Sequence, residues 1–423
     1  MKNNWLWEKR LLIAVGAALI ALQPVALAAP ELTLEDSLAL ALKNNPSRQQ
    51  AVSDKDKAAW ALEEAKAGQG PTLSLNESAT RADGVAGSAA GNSFGTSLRL
   101  SWPLYTGGRS EALVDQAKGG LSVADKGVDK AEQQLKLDTT TAYYGVLQAR
   151  SLVKVNEQAV ANLSEHLTNV RAQFDAGAVA KADVLRSEVE LANAQQDLIK
   201  AKNSYELAVA SFNNIIGIPH DSQSVLKDEL QYAQYGAPLA DLLAQAAKNR
   251  PEIAQAADNV AIAKAGQKAA DSGGLPTLSL SAGQGWAGDT FPGSDSNWSV
   301  GMTLSWNIFD SGITKARSAG AGAAIDKALS QQRQTGDSVA LEVRQAYLSM
   351  KEAEERIQTS QVTVDKAEED LKIARTKYSA GAGTNLDVID AQLALTQAHT
   401  NYTQSLYDYN VNKAKLQKAT GQI

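Results

Sequence analysis

Apolar and polar positions alternate strictly over two stretches of this chain. Trp298, Val300, Met302, Leu304, Trp306 and Ile308 fall on one face, and Ser299, Gly301, Thr303, Ser305 and Asn307 on the other. Earlier, Leu98, Leu100, Trp102 and Leu104 alternate with Ser97, Arg99 and Ser101. A period of two marks a strand. Leu73 with Leu75, and Leu278 with Leu280, mark a partner for each. Strands are therefore expected at about 71–81, 92–104, 276–286 and 297–309. Each is about 10 residues long, the length of a tilted strand crossing an outer membrane. Trp102, Tyr105, Trp298 and Trp306 suit the aromatic positions of a membrane interface. A soluble hairpin with one buried face is the competing reading of the same residues.

Elsewhere the period lengthens to three and four. Ile357, Val364, Ala367, Leu371, Ala374 and Tyr378 follow that step, as do Leu191, Ala194, Leu198, Ala201, Tyr205, Ala208 and Phe212. A third set runs Val388, Ala391, Leu395, Ala398, Tyr402 and Tyr409. This is coiled-coil spacing with small residues in the seam, which lets helices approach closely. No proline interrupts Arg109 to Asp175 or Thr314 to Tyr378. At 1.5 Å per residue, the first run reaches roughly 100 Å. Shorter helices are expected near Leu34 to Lys66 and Leu239 to Asp271. The outward faces carry Gln, Asn, Ser, Thr, Lys and Glu and expect water.

The pattern occurs twice. Lys43-Asn44-Asn45-Pro46 returns as Lys248-Asn249-Arg250-Pro251, and Pro71-Thr72-Leu73-Ser74-Leu75 as Pro276-Thr277-Leu278-Ser279-Leu280. Leu100-Ser101-Trp102 returns as Leu304-Ser305-Trp306, and Asp183-Val184 as Asp387-Val388. Register held over this length makes two copies of one unit, expected at 29–221 and 222–423.

The ends and the composition set the compartment. Lys2, Lys9 and Arg10 precede a short apolar run from Leu11 to Leu22, and Ala26-Leu27-Ala28 fits a cleavage site. Residues 1–28 therefore read as a secretory signal, with an uncleaved anchor as the alternative. The chain has no cysteine, so an exported protein of this sequence uses no disulfide. A formal net charge of −6 argues against a nucleic-acid surface. His166, His220 and His399 share no metal-ligand spacing and read as solvated, and there is no nucleophile motif or phosphate loop. No catalysis, metal or cofactor is expected.

Two hairpins with an apolar outer face cannot close a barrel alone, and open edges are not tolerated in lipid. Closure must come from other copies. A dimer would give 8 strands, whose interior side chains fill, whereas a trimer would give 12 and leave a bore. The long helices would continue that bore as a hollow cylinder.

Both copies, with Asn45-Pro46, Leu304-Ser305-Trp306-Asn307-Ile308-Phe309-Asp310-Ser311-Gly312, Gly381 through Asp387-Val388-Ile389-Asp390-Ala391, and Ile215-Ile216-Gly217-Ile218-Pro219, resemble the TolC-like outer-membrane efflux proteins. The resemblance covers about residue 30 to the C-terminus. It implies a mainly α-helical homotrimer with a 12-stranded transmembrane β-barrel in outer-membrane lipid, continued by an α-helical barrel across the periplasm. It also implies the role of exit duct for efflux or type I secretion, docked to a periplasmic adaptor and an inner-membrane transporter. Gly177, Ala178 and Val179, with Gly381, Ala382, Gly383 and Thr384, become the adaptor-docking tip. Asp183, Asp387 and Asp390 become carboxylates of the pore constriction. Gly383 departs from the pattern, because some relatives hold the gate shut through an arginine there. The residues alone also allow helix capping by Asp183 and Asp387. A periplasmic adaptor and a structural coiled-coil envelope protein remain the rival readings.

Overall fold

A computed structural model describes residues 31–82 and 91–423. The proposed signal at 1–28 lies outside the described residues. The first copy runs β1 (Glu31–Leu32), α1 (Leu34–Asn44), α2 (Pro46–Ala67), β2 (Thr72–Ala82), β3 (Gly91–Tyr105), α3 (Arg109–Asp175) and α4 (Lys181–Ile216). After β4 (Val225–Leu226), the order returns as α5 (Leu239–Asn249), α6 (Pro251–Asp271), β5 (Thr277–Gly288), β6 (Asp295–Ser305), α7 (Ile313–Ser379) and α8 (Asn385–Ala419). The two longest helices, α3 and α7, have 67 residues each.

The single helices expected over Leu34 to Lys66 and Leu239 to Asp271 are each broken in two. Asn45 and Arg250 adopt extended backbone, ψ 128° and 123°, because the proline that follows each excludes the helical conformation. Proline then opens the next helix at no cost in hydrogen bonds. The junctions are secured differently. Asn45 caps α2 by accepting from the Ser47 amide and donates to the Ile215 carbonyl at 2.8 Å. Arg250 is buried, pairs with Glu252 and Glu342, and donates to the Lys418 carbonyl at 3.1 Å.

The four long strands form one antiparallel meander, β2-β3-β5-β6, so β2 and β6 carry open edges. Among the described residues, no second layer covers the sheet. Trp298, Val300, Met302 and Leu304 project from β6 with 65 to 76% exposure. Residues 306–309, expected as strand, lie beyond β6, which ends at Ser305. Turn chemistry takes over there. Asp310 accepts from the Gly312 and Thr314 amides, and Ser311 and Gly312 have positive φ. The indole of Trp306 donates to the Gly274 carbonyl, as that of Trp102 does to Gln69, tying sheet to helices in both copies.

The helices divide into two levels. Near the sheet, α3 packs on α2 and α6, and α6 on α7. Farther away, α3 packs on α4 and α8, and α8 on α7. Between the levels sit two equivalent apolar clusters. One gathers Ala41, Tyr143, Leu147, Phe212 and Ile216, the other Leu242, Met350, Tyr409 and Leu416. The connector between copies straps across them. Tyr143 donates to Asp228 at 2.6 Å, and Tyr409 to the Ala233 carbonyl at 2.8 Å. No described helix is long and apolar enough to cross a membrane.

The helical tip as candidate functional site

The far ends of the two long hairpins meet around a third cluster. Val170, Leu371, Ala374, Tyr378, Val388, Ala391 and Leu395 are buried together, with Val179 and Val184 packed against them. Each hairpin turns through a glycine in left-handed conformation, Gly177 at φ 75° and Gly381 at φ 72°. The Ala178 amide bonds back to the Gln173 carbonyl and the Ala382 amide to that of Lys377, closing the spent helix ends. Gly177, Ala178, Gly381, Ala382 and Thr384 are exposed, while Val179 and Gly383 are half-buried.

Gly383 is confined by its own chain. A Cβ there would lie 3.1 Å from Lys377 Cβ and 3.2 Å from the Tyr378 nitrogen. A side chain at this position needs a shift of the α7 terminus.

The two aspartates at the helix starts behave differently. Thr384 is the N-cap of α8, and Asp387 completes a capping box with it. The Thr384 amide donates to the Asp387 carboxylate at 2.8 Å, and the Asp387 amide to the Thr384 hydroxyl at 3.2 Å. These bonds from Thr384 hold the Asp387 carboxyl below its ordinary value, with Lys377 adding a smaller pull. Asp387 therefore combines an exposed charge with a structural role. Asp183 does not cap: the N-cap of α4 is Ala180, which offers no side-chain bond. Asp390 is exposed near Asp387, while Val388 and Ala391 belong to the packed cluster and Ile389 is buried. Both α8 carboxylates thus face away from the protomer's own core.

His166 is a correction to the sequence reading. It is not solvated but buried, and so is its partner, Asn385. The Asn385 Oδ1 accepts from His166 Nε2 at 2.6 Å and from Ser187 Oγ at 3.1 Å. Its Nδ2 donates to the Asp183 carbonyl at 3.0 Å, which orients the amide and assigns the imidazole proton to Nε2. The Tyr378 ring lies 5.2 Å from the imidazole, and its buried hydroxyl has no partner among the described residues. One signal was present in the chain: Leu163, His166, Leu167 and Val170 keep the three-four step, which places His166 on the buried face. Asn385 and Ser187 carried no comparable signal.

Among the described residues, no group of three or more His, Asp or Glu is arranged to hold a metal.

Known proteins share the doubled repeat and the fold. The sequence profile described as outer membrane efflux protein matches residues 38–218 and again 242–422. The chain is 25% identical over 396 residues to outer membrane protein TolC of Escherichia coli K12, covering 90% of this chain and 80% of that one. It is 26% identical over 432 residues to the alkaline protease secretion protein AprF of Pseudomonas aeruginosa, covering 96% and 87%. The fold matches the Campylobacter jejuni CmeC outer membrane channel with a TM-score of 0.81 at 19% identity, covering 92% of this chain and 85% of that one. It matches the open state of the Neisseria gonorrhoeae MtrE outer membrane channel with a TM-score of 0.78 at 20% identity, covering 92% and 88%. With both copies of the repeat matched by the profile, this chain belongs to the outer membrane efflux protein family.

Proposed function

We propose that this protein is the outer-membrane exit duct of a tripartite efflux or type I secretion system. Three copies close a 12-stranded barrel in the outer membrane and continue it as a helical tunnel through the periplasm. Substrates pass without energy input at this component, which an inner-membrane transporter supplies through a periplasmic adaptor. Family membership favours this over an adaptor or a structural coiled-coil protein.

The observation that carries ring closure is a matched pair of unsatisfied edges. The sheet ends on β2 and on β6, each offering a full row of backbone groups. The helical layer ends on α4 and on α7. Leu185, Val189, Ile199 and Leu207 share one face of α4 and are 51 to 69% exposed, while Leu341, Leu348, Val362 and Ile373 share one face of α7 and are also exposed. A neighbouring copy that pairs β6 with β2 brings α7 to α4 and covers both stripes. Head-to-tail contacts of this kind generate a ring.

At the far end, the exposed turns around Gly177 and Gly381 meet the adaptor, and Asp183, Asp387 and Asp390 line the constriction. Gly383 leaves no arginine to clamp it. The cargo follows the partner: AprF is named for protease secretion, and a passive duct imposes little selection of its own. Insertion of the purified protein into planar bilayers tests the reading. Discrete, long-lived conductance steps are expected; protein that inserts but conducts no ions contradicts it.

A further inference from the structure

The tip contains a buried polar cluster for which passive conduction supplies no role. Asn385, the first residue of α8, ties the second copy to α3 through His166 and to α4 through Ser187 and the Asp183 carbonyl. One repeat away, the matching positions carry Asp370 for His166, Lys181 for Asn385 and Ala391 for Ser187. The cluster therefore exists at one junction of the two hairpins only. Burial, an ionisable ring and a contact joining two long hairpins coincide there.

We propose that His166 and Asn385 form an acid-responsive latch between the two helical hairpins, closed while the imidazole is neutral and released when it takes a second proton at Nδ1. The closed geometry needs only the neutral ring, because Nε2–H already serves Asn385. The second proton arrives in a site built to exclude charge. On α3, the neighbour facing the same groove of about 530 Å³ is Glu165; on α7 they are Arg375 and Tyr378. On α4, Asp183 acts through space on the Tyr378 hydroxyl and its carbonyl accepts from Asn385, and on α8 the Asp387 carboxylate is engaged by the capping box. Glu165 is exposed, so water screens its attraction for an imidazolium, whereas the buried Tyr378 ring offers no countercharge. Burial pushes the His166 imidazole below its ordinary value of 6.5; the bond to Asn385 opposes this, and the Arg375 guanidinium adds to it. A lowered value in the latched state means that the latch is fully present above the ordinary value and lost as pH falls through the lower one. Charging the ring draws water into the groove between α3 and α7 and parts the hairpins.

The inference rests on the tip being the movable end of the duct, but its test needs no transport. The chain has no native cysteine, so spin labels at Ala178 and Ala382, on the two exposed turns, are specific. Labelled chain is assembled with an excess of unlabelled chain, so each particle reports the distance within one protomer. Acidification from neutral pH should lengthen that distance, with a midpoint below the ordinary imidazole value of about 6.5. His166→Gln, which keeps an N–H donor but cannot charge, should abolish the change, and His399→Gln should leave it intact. No acid change in the native protein, or the same change in His166→Gln, overturns the latch. Absence of bilayer conductance alongside an intact acid change would instead count against the duct.

Discussion

The smallest decisions in this molecule are made where a helix starts or stops. Thr384 and Asp387 satisfy each other's backbone donors, and the same bonds keep the Asp387 carboxyl ionised to lower pH than an ordinary one. The capping contribution is thus present above the ordinary carboxyl value and lost as pH falls through the lowered one. Capping and charge separate by substitution. Thr384→Ala should cost the α7–α8 hairpin about 1 kcal/mol and leave ion selectivity unchanged. Asp387→Asn with Asp390→Asn should weaken cation selectivity and block by multivalent cations, read in single-channel recordings. Unchanged selectivity in that double variant would leave the carboxylates with a structural role alone. The proposed docking turns have their own test. Cysteines at Ala178 or Ala382 should capture a periplasmic adaptor in export-competent cells, and consistent failure to do so rules out docking there. The turns at Gly177 and Gly381 and the cap at Asp387 were legible in sequence, because their mechanisms are local to a few residues, whereas the capping also read for Asp183 is absent. The latch was not legible, because His166 and Asn385 meet across 219 residues of chain.

At the scale of elements, legibility followed the same physics. The absence of proline marked α3 and α7 nearly to the residue, and alternation marked the strands. Two errors came from local chemistry. Pro46 and Pro251 each broke an expected single helix in two, and the Asp310 turn ended β6 before Trp306 and Ile308. Which apolar residues belong to a protomer's core and which to its neighbours was also hidden, since both obey one spacing. The structure separates them, and the two classes should respond differently to truncation. Leu147 of α3 is buried in the cluster with Ala41 of α1 and Phe212 and Ile216 of α4, so Leu147→Ala should cost the fold about 2–5 kcal/mol. Leu348 is 58% exposed on the open edge of α7. Leu348→Ala should leave the secondary structure of the chain intact and lower the temperature at which the assembly dissociates. Circular dichroism, set beside unheated gel migration, distinguishes the two effects.

As a whole, one protomer is an incomplete object. Among the described residues, its sheet has both edges open and both faces uncovered, and its helical layer ends on two apolar stripes. Ample internal packing at the middle and at the tip accompanies these bare margins. Four strands per chain explain why the repeat alone does not suffice: two hairpins supply an arc, and side chains would fill a barrel of eight strands. Copy number is accordingly the quantity on which the duct depends. It is measured most directly as the native mass of the detergent-extracted protein, with the detergent contribution subtracted. The account predicts three copies of the chain and no smaller membrane-inserting species. A stable monomer or dimer that still inserts into membranes would contradict it.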